Sequence, residues 1–288
     1  MTQTQQPSTS ARVRLVDREA DASPRAHDAL LLLEGVGKSY GGVVGPATVA
    51  LQGVDLAIRR GEFMTVIGPS GCGKSTLLQI AAGLVAPSAG RILLDGKPVQ
   101  GPPPEMVYLF QQYTKSLFPW RNVRDNVAFA LERKRMSRSD RLEAACVYLA
   151  KVGLAEFAAH YPWQLSGGMQ QRVAIARALA ATPRVLLMDE PFSAVDALTR
   201  LDLQALILDI WQKSEDLTIL FVTHDVEEAV YLSDRIAVLT RRPSSISHIV
   251  EPRLPRPRHP VDTREDPVFL RHRHDLLNTL LGRPDGRS

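Results

Sequence analysis

Apolar positions along this chain come in two textures that alternate. Runs of four or five apolar residues recur at 30–33, 63–67, 106–110, 185–188, 218–222 and 236–239, a length that suits strands. Between them, segments 77–82, 169–179, 198–211 and 226–232 space their apolar residues at helical period. The run 185–188 (Val-Leu-Leu-Met) has no polar face, so it predicts a parallel strand covered on both sides. By contrast, 51–58 alternates apolar with polar and predicts a half-buried strand, and 91–94 is a short strand closed by Asp95-Gly96. Turns are expected at 38–42 and 59–62, and Gly101-Pro102-Pro103-Pro104 is a break. Strands alternating with helices predict an α/β fold with a parallel-rich sheet and a small antiparallel β part.

One stretch departs from this alternation. Residues 122–159 are helical in texture, with Asn126, Ala130, Leu131, Leu142, Cys146, Leu149 and Val152 at helical spacing. We expect a helical subdomain (113–163) inserted between two parts of an α/β core (29–112 and 164–245), the main domain spanning 29–251. Residues 1–28 mix Gln, Ser, Thr, Arg and Asp without the apolar stretch of a signal peptide and are expected to form a disordered leader. Residues 252–260 predict an extended Pro-rich linker. A final helix follows within 252–288, with Phe269, Leu276, Leu277 and Leu280 expected on one docked face.

Composition narrows the class. With 288 residues, 44% hydrophobic and 23% charged, the chain is long enough for a sizeable core and has no apolar run near the ~18 residues of a membrane span. Net charge is only +4, but arginines gather late, at Arg253, Arg256, Arg258, Arg264, Arg271 and Arg273. That cluster reads either as a patch for an anionic surface or as a solvated basic tail. Two cysteines, Cys72 and Cys146, give neither a disulfide framework nor metal-ligand spacing and fit a reducing compartment.

The sharpest chemistry lies after the 63–67 strand, at Gly68-Pro69-Ser70-Gly71-Cys72-Gly73-Lys74-Ser75-Thr76. Strand, glycine-rich turn and helix are the setting in which G-x-x-x-x-G-K-[ST] binds phosphate. Backbone N–H groups must close around the β-phosphate, so Gly71 and Gly73 leave the approach open. The helix starting near Gly73 adds its positive end. Lys74 supplies a mobile charge for the β- and γ-phosphates, and the Ser75 hydroxyl is placed to ligate Mg²⁺. The ligand is therefore a nucleoside triphosphate.

A second group of residues, Asp189-Glu190-Pro191, ends the buried strand, at the sheet edge where ligands bind. Asp189 suits a Mg²⁺ held through water, and Glu190 suits proton abstraction from an attacking water. A third, Leu165-Ser166-Gly167-Gly168-Met169-Gln170-Gln171-Arg172, opens a helix with bare backbone and forms another anion site. With it the chain resembles the ATP-binding cassette ATPases, whose signature this is.

The resemblance covers residues 30–240 and implies more. ATP with Mg²⁺ is the expected cofactor. Tyr40 matches the aromatic that stacks on adenine, and His224 the histidine that reaches the γ-phosphate. Gln111 matches the glutamine that contacts Mg²⁺ and water; Gln112 is adjacent, and the lead-in Val-Tyr-Leu-Phe selects Gln111. Ser193-Ala194-Val195-Asp196 resembles the loop at the interface between two cassettes, with Val195 where leucine is usual. In such a pair, Ser166, Gly167, Gly168 and Gln170 of one copy would meet the ATP held by the other. The stretches 116–123, 125–127 and 254–258 are similar to single-cassette subunits of bacterial importers for nitrate, sulfonates and taurine. That implies three kinds of partner: a second copy, integral-membrane permease subunits and a periplasmic solute-binding protein. The expected location is the cytoplasmic face of the inner membrane. A cassette acting on nucleic acid or ribosomes is the alternative, and no nucleic-acid partner is expected for a single cassette without heptads. Leu117, Phe118 and Trp120, beside Pro119, are expected at the permease-docking groove.

Overall fold

The computed structural model describes residues 29–41, 47–214 and 216–283. The leader expected over 1–28 lies outside them.

Four strands, β1 (Ala29–Tyr40), β2 (Thr48–Arg59), β4 (Ala89–Leu94) and β5 (Lys97–Pro98), pair antiparallel in the order β2-β1-β4-β5. A second sheet has the order β10-β9-β3-β8-β7-β6, built from β3 (Phe63–Ile67), β6 (Met106–Leu109), β7 (Val185–Asp189), β8 (Thr218–Val222), β9 (Arg235–Leu239) and β10 (Ile246–Val250). Its β6-β7-β8-β3-β9 part is parallel and β10 is antiparallel. Every residue of β3, β7, β8 and β9 is buried.

Burial on both faces explains the unbroken apolar runs. Successive residues still alternate between two cores. Met64, Leu187, Leu220 and Ala237 pack beneath the antiparallel sheet and α1 (Lys74–Ala81), while Phe63, Leu186, Phe221 and Ile236 face the helices on the other side. Those helices are α4 (Gly167–Ala180), α5 (Ala197–Gln212) and α6 (Val226–Leu232). Each fully buried Leu, Ile or Phe contributes roughly 1.5–3 kcal/mol.

The helical insertion is present but broken. Asn122 caps α2 (Val123–Ala128), a 3₁₀ turn follows at Phe129–Leu131, and Ser137 caps α3 (Arg138–Lys151). Leu131, Leu149 and Val152 are buried as their spacing predicts. Asn126 is buried for another reason: its amide accepts from Phe118 N–H and donates to the carbonyls of Phe118, Arg121 and Asn122.

Four expectations need correction. Lys38, Ser39 and Tyr40, expected in a turn over 38–42, belong instead to β1, with Tyr40 opposite Thr48. Lys38 Nζ donates to Ala86 O (2.7 Å) and Ser39 N–H to Ser88 Oγ (3.1 Å), and these tie the strand end down. Strand β10 carries no apolar alternation and is mostly exposed, which hid it from a pattern search. In α8 (Pro267–Leu281), Phe269 and Leu276 are buried and Leu280 packs on the core, but Leu277, ~100° around the helix from Leu276, faces solvent.

The arginine cluster divides: Arg253 and Arg271 are exposed, whereas Arg256, Arg258, Arg264 and Arg273 are held against the core. Arg256 donates to Asp234 (2.7 Å) and lies over the Trp211 ring, Arg258 donates to the carbonyls of Tyr231 and Ser233, and Arg273 donates to Glu227. The segment expected as an extended linker is thus held against α6, with Leu254 and Arg258 buried. Burial lowers Arg258 to about 10.

Candidate functional site

Strand order decides what can meet. From β3 the chain crosses to β6 at the far edge and returns through β7 and β8 to lie beside β3 again. Val66 and Asp189 both pair with Val222, so β3, β8 and β7 end at one level. The phosphate loop, the acids and His224 therefore share the C-terminal edge of one sheet, where such sheets bind ligands.

The loop's backbone needs its glycines. Gly71 and Gly73 have φ of 72° and 110°, and Gly73 caps α1 by accepting Leu77 N–H at 2.9 Å. A side chain at Gly68 would strike Cys72 Sγ at 2.8 Å and the Leu239 backbone. Cys72 is buried, and burial raises its thiol, so it fills space rather than reacting. Lys74 is buried, its ammonium donating to Gly68 O (2.9 Å) and Pro69 O (3.2 Å).

Ser75 Oγ donates to Asp189 Oδ1 at 2.9 Å, and Tyr108 OH donates to Asp189 Oδ2 at 2.8 Å. Burial raises Asp189 above the usual carboxylate range, and the two hydroxyl donors oppose that rise. Tyr108 was missed in the sequence. It lies one strand from Asp189, and only the β6–β7 pairing brings it there. Burial and the neighbouring carboxylate push its phenol far up, so it stays a donor. Tyr108→Phe removes that donor from a buried carboxylate oxygen and should lower stability by roughly 1–3 kcal/mol. A thermal melt matching the wild type would contradict this.

Glu190 follows with φ of 43°, in the left-handed region that side chains seldom adopt, and its N–H still donates to Val222 O. Its carboxylate takes a different direction from that of Asp189. Glu190 Oε2 lies 3.0 Å from His224 Nδ1, within hydrogen-bond reach of it. Gln111 Nε2 approaches the same oxygen and Ser193 Oγ at 3.5 Å each. Of the adjacent glutamines, Gln111 is the one seen to reach the acid.

The signature stands apart from this cluster. Ser166 caps α4, accepting Met169 N–H at 3.3 Å, and Gln170 Nε2 donates to Leu165 O. Ser166 and Gly167 are exposed. Gly168 must be bare for a local reason, since a Cβ there would lie 2.5 Å from Thr199 Cγ2 of α5. Asp196 caps α5, and the Thr199 N–H it accepts lowers its carboxyl. Ser193, Ala194, Asp196 and Leu198 around it are exposed. Tyr40, 44% exposed, has the Lys38 ammonium 5.2 Å from its ring centroid.

The expected docking cluster divides. Leu117 is core, and Phe118 is half-buried against Phe129 at 4.7 Å, with the Arg121 and Arg177 guanidinia over it. Trp120 is 72% exposed. Leu117 follows the short 3₁₀ turn Tyr113–Ser116, which Arg177 anchors by donating to Ser116 O, so it turns inward.

A glycine-lined phosphate loop beside a strand-end acid pair, in a parallel sheet carrying an inserted helical unit, defines a P-loop nucleoside triphosphatase. The family profile described as ABC transporter matches residues 51–193. An uncharacterised ABC transporter ATP-binding protein of Methanocaldococcus jannaschii is 54% identical over 231 residues, covering 80% of this chain and 84% of that one. The nitrate import ATP-binding protein NrtD of Synechococcus elongatus is 44% identical over 251 residues, covering 86% and 90%. A solved ATP-binding cassette, in a dimeric post-hydrolysis state bound to ADP and Pi, superposes with a TM-score of 0.67 at 32% identity, covering 77% of this chain and 98% of that one. This chain belongs to the ABC transporter family, and it is an ATP-hydrolysing subunit of a transporter.

Proposed function

We propose that this chain powers import of a small solute of the nitrate, sulfonate or taurine kind. Two copies pair head to tail on the cytoplasmic face of a membrane permease that a periplasmic binding protein supplies. Similarity to the nitrate import protein favours a small anion. The observation that carries the hydrolytic reading is the juxtaposition at one sheet edge of Ser75–Asp189 (2.9 Å) and Glu190–His224 (3.0 Å). Among the described residues no helix is long and apolar enough to cross a membrane.

In this reading the loop N–H groups of residues 68–76 and the Lys74 ammonium hold the β- and γ-phosphates, and Tyr40 stacks on adenine. Ser75 and Asp189 offer hard oxygen donors side by side, the set that Mg²⁺ takes together with phosphates, and Gln111 stands nearby. When bound, Mg²⁺ supplies charge neutralisation at the β- and γ-phosphates. Glu190 orients water and takes its proton, while His224 fixes the Glu190 carboxylate and faces the γ-phosphate. Ser166, Gly167, Gly168 and Gln170 complete the site of the other copy, and Asp196 shapes the loop between them. Exposure of Ser166, Gly167 and Asp196 supports this.

Trp120 is the anchor we assign to the permease. Trp120→Asp should leave the melting temperature and ATP turnover of the isolated subunit unchanged and abolish co-purification with the permease. Retained assembly would place the docking surface elsewhere. The proposal as a whole is tested by reconstituting the subunit with its permease and binding protein in vesicles. Uptake that requires ATP supports it, and ATP-driven efflux would overturn the importer reading.

A further inference from the structure

The C-terminal segment reaches the catalytic edge through a buried chain of side chains. Arg264, on the short helix α7 (Asp262–Glu265), donates from NH2 to Gln204 Oε1 of α5 at 2.6 Å. Gln204 Nε2 donates to Glu228 Oε1 of α6 at 3.0 Å. Glu228 Oε2 accepts from Thr223 Oγ1 at 2.6 Å, and Thr223 Oγ1 in turn accepts Asp225 N–H at 3.0 Å. Thr223 and Asp225 flank His224. Gln204, Glu228 and Thr223 are all buried, so each of these groups depends on its neighbour for a partner.

The polarity of the chain is fixed at one end. A guanidinium has only donors, so Arg264 turns the Gln204 carbonyl toward itself and the amide toward Glu228. The Glu228 carboxylate then has both oxygens committed as acceptors, and the Thr223 hydroxyl must donate. Arg264 is itself held, its guanidinium 4.1 Å from the Tyr231 ring centroid and donating from NH1 to Pro260 O. The contact is thus built into the way residues 258–264 pack on α6.

We propose that Arg264 is a positioning residue for the hydrolytic site, setting the His224 loop through Gln204, Glu228 and Thr223. The inference rests on the role given to His224 above. It makes residues 258–265 part of the ATPase device, so anything that lifts this segment from α6 slows turnover without touching the nucleotide. A second contact of the C-terminal segment, Arg273 of α8 to Glu227 of α6 at 2.9 Å, lies outside the chain and serves as its control.

Charge at Glu228 supplies a further readout. The groups around it are Asp225 on its own turn, Arg200 and Gln204 on α5, Thr223 on the loop and Arg264 on α7. Burial, with the Asp225 charge adding and Arg200 opposing, raises it to about 7. Above that pH the ionised carboxylate accepts from Thr223; below it, the protonated carboxyl donates to Thr223 and reverses the bond.

The test uses the full-length subunit with ATP turnover and the His224 ring resonances read side by side. Arg264→Ala and Gln204→Leu should each lower kcat about tenfold with KM for ATP unchanged, as a misplaced catalytic group does. The double variant should be no slower than either single one, because one chain has been cut twice. His224 resonances should move in all three and stay in place in Arg273→Ala, which keeps full turnover. In the wild type, kcat should fall as pH drops through 7, a limb that Glu228→Gln, fixed in the reversed polarity, should lack. Unmoved His224 resonances in Arg264→Ala, or additive losses in the double variant, would overturn the proposal. Equal losses in Arg273→Ala would reduce the contact to general stability and overturn it too. His224→Ala reports on the underlying reading separately: full turnover there removes His224 from catalysis, and the proposal falls with it.

Discussion

Glu190→Gln is expected to lower ATP turnover by roughly 10²–10⁴-fold, the range that a positioned general base contributes. ATP binding should persist, because Lys74, Ser75 and the loop backbone are separate from this side chain. The substitution is nearly isosteric and keeps one oxygen that can accept from His224 Nδ1. It cannot take a proton. The same change leaves the left-handed backbone at φ of 43° in place, so the fold is not at stake. Phosphate release in a single-turnover assay checks the expectation. Turnover near the wild-type rate would move the base elsewhere at the sheet edge.

The second large effect concerns sharing between copies. Ser166→Arg places a long cation at an exposed helix start and removes the Ser166 Oγ that caps Met169 N–H, a loss of about 1 kcal/mol that leaves the isolated fold intact. Lys74→Ala removes the phosphate-binding charge. Each variant alone should lose turnover by two orders of magnitude or more, since transition-state donors are worth about that much. Mixed, the two should recover part of it, because one of the two sites in a mixed pair is then intact and the other carries both lesions. Activity recovered to zero in the mixture, with both variants folded and paired, would place the signature and the phosphate loop of one chain on the same nucleotide.

Much of this was legible in the sequence because the physics involved is local. The phosphate loop needs Gly71 and Gly73 for positive φ and a lysine at the helix start, and those residues sit next to one another. The buried strands were legible too, because two-sided burial keeps most of their positions apolar, Thr65 being the one polar residue inside a run and Asp189, Thr218 and Arg235 standing at strand ends. What escaped depends on pairing across long separations. Tyr108 matters only because β6 lies against β7, and Arg264 only because residues 258–264 fold back over α6. Their local sequence carries no mark of either. The arginine-rich tail misled for the same reason: charge counted along the chain does not show that Asp234, Glu227 and backbone carbonyls receive it. Leu277 and Leu117 were misplaced by small errors of phase, one helix step in the first case and the 3₁₀ turn before Leu117 in the second.

The central claim is that ATP is held between two copies of this chain, and the mass of Glu190→Gln in solution tests it most directly. By light scattering, this variant with ATP should have twice the 31.8 kDa mass of one chain and revert to a single chain with ADP. A single-chain mass at saturating ATP, with nucleotide bound, would contradict the account.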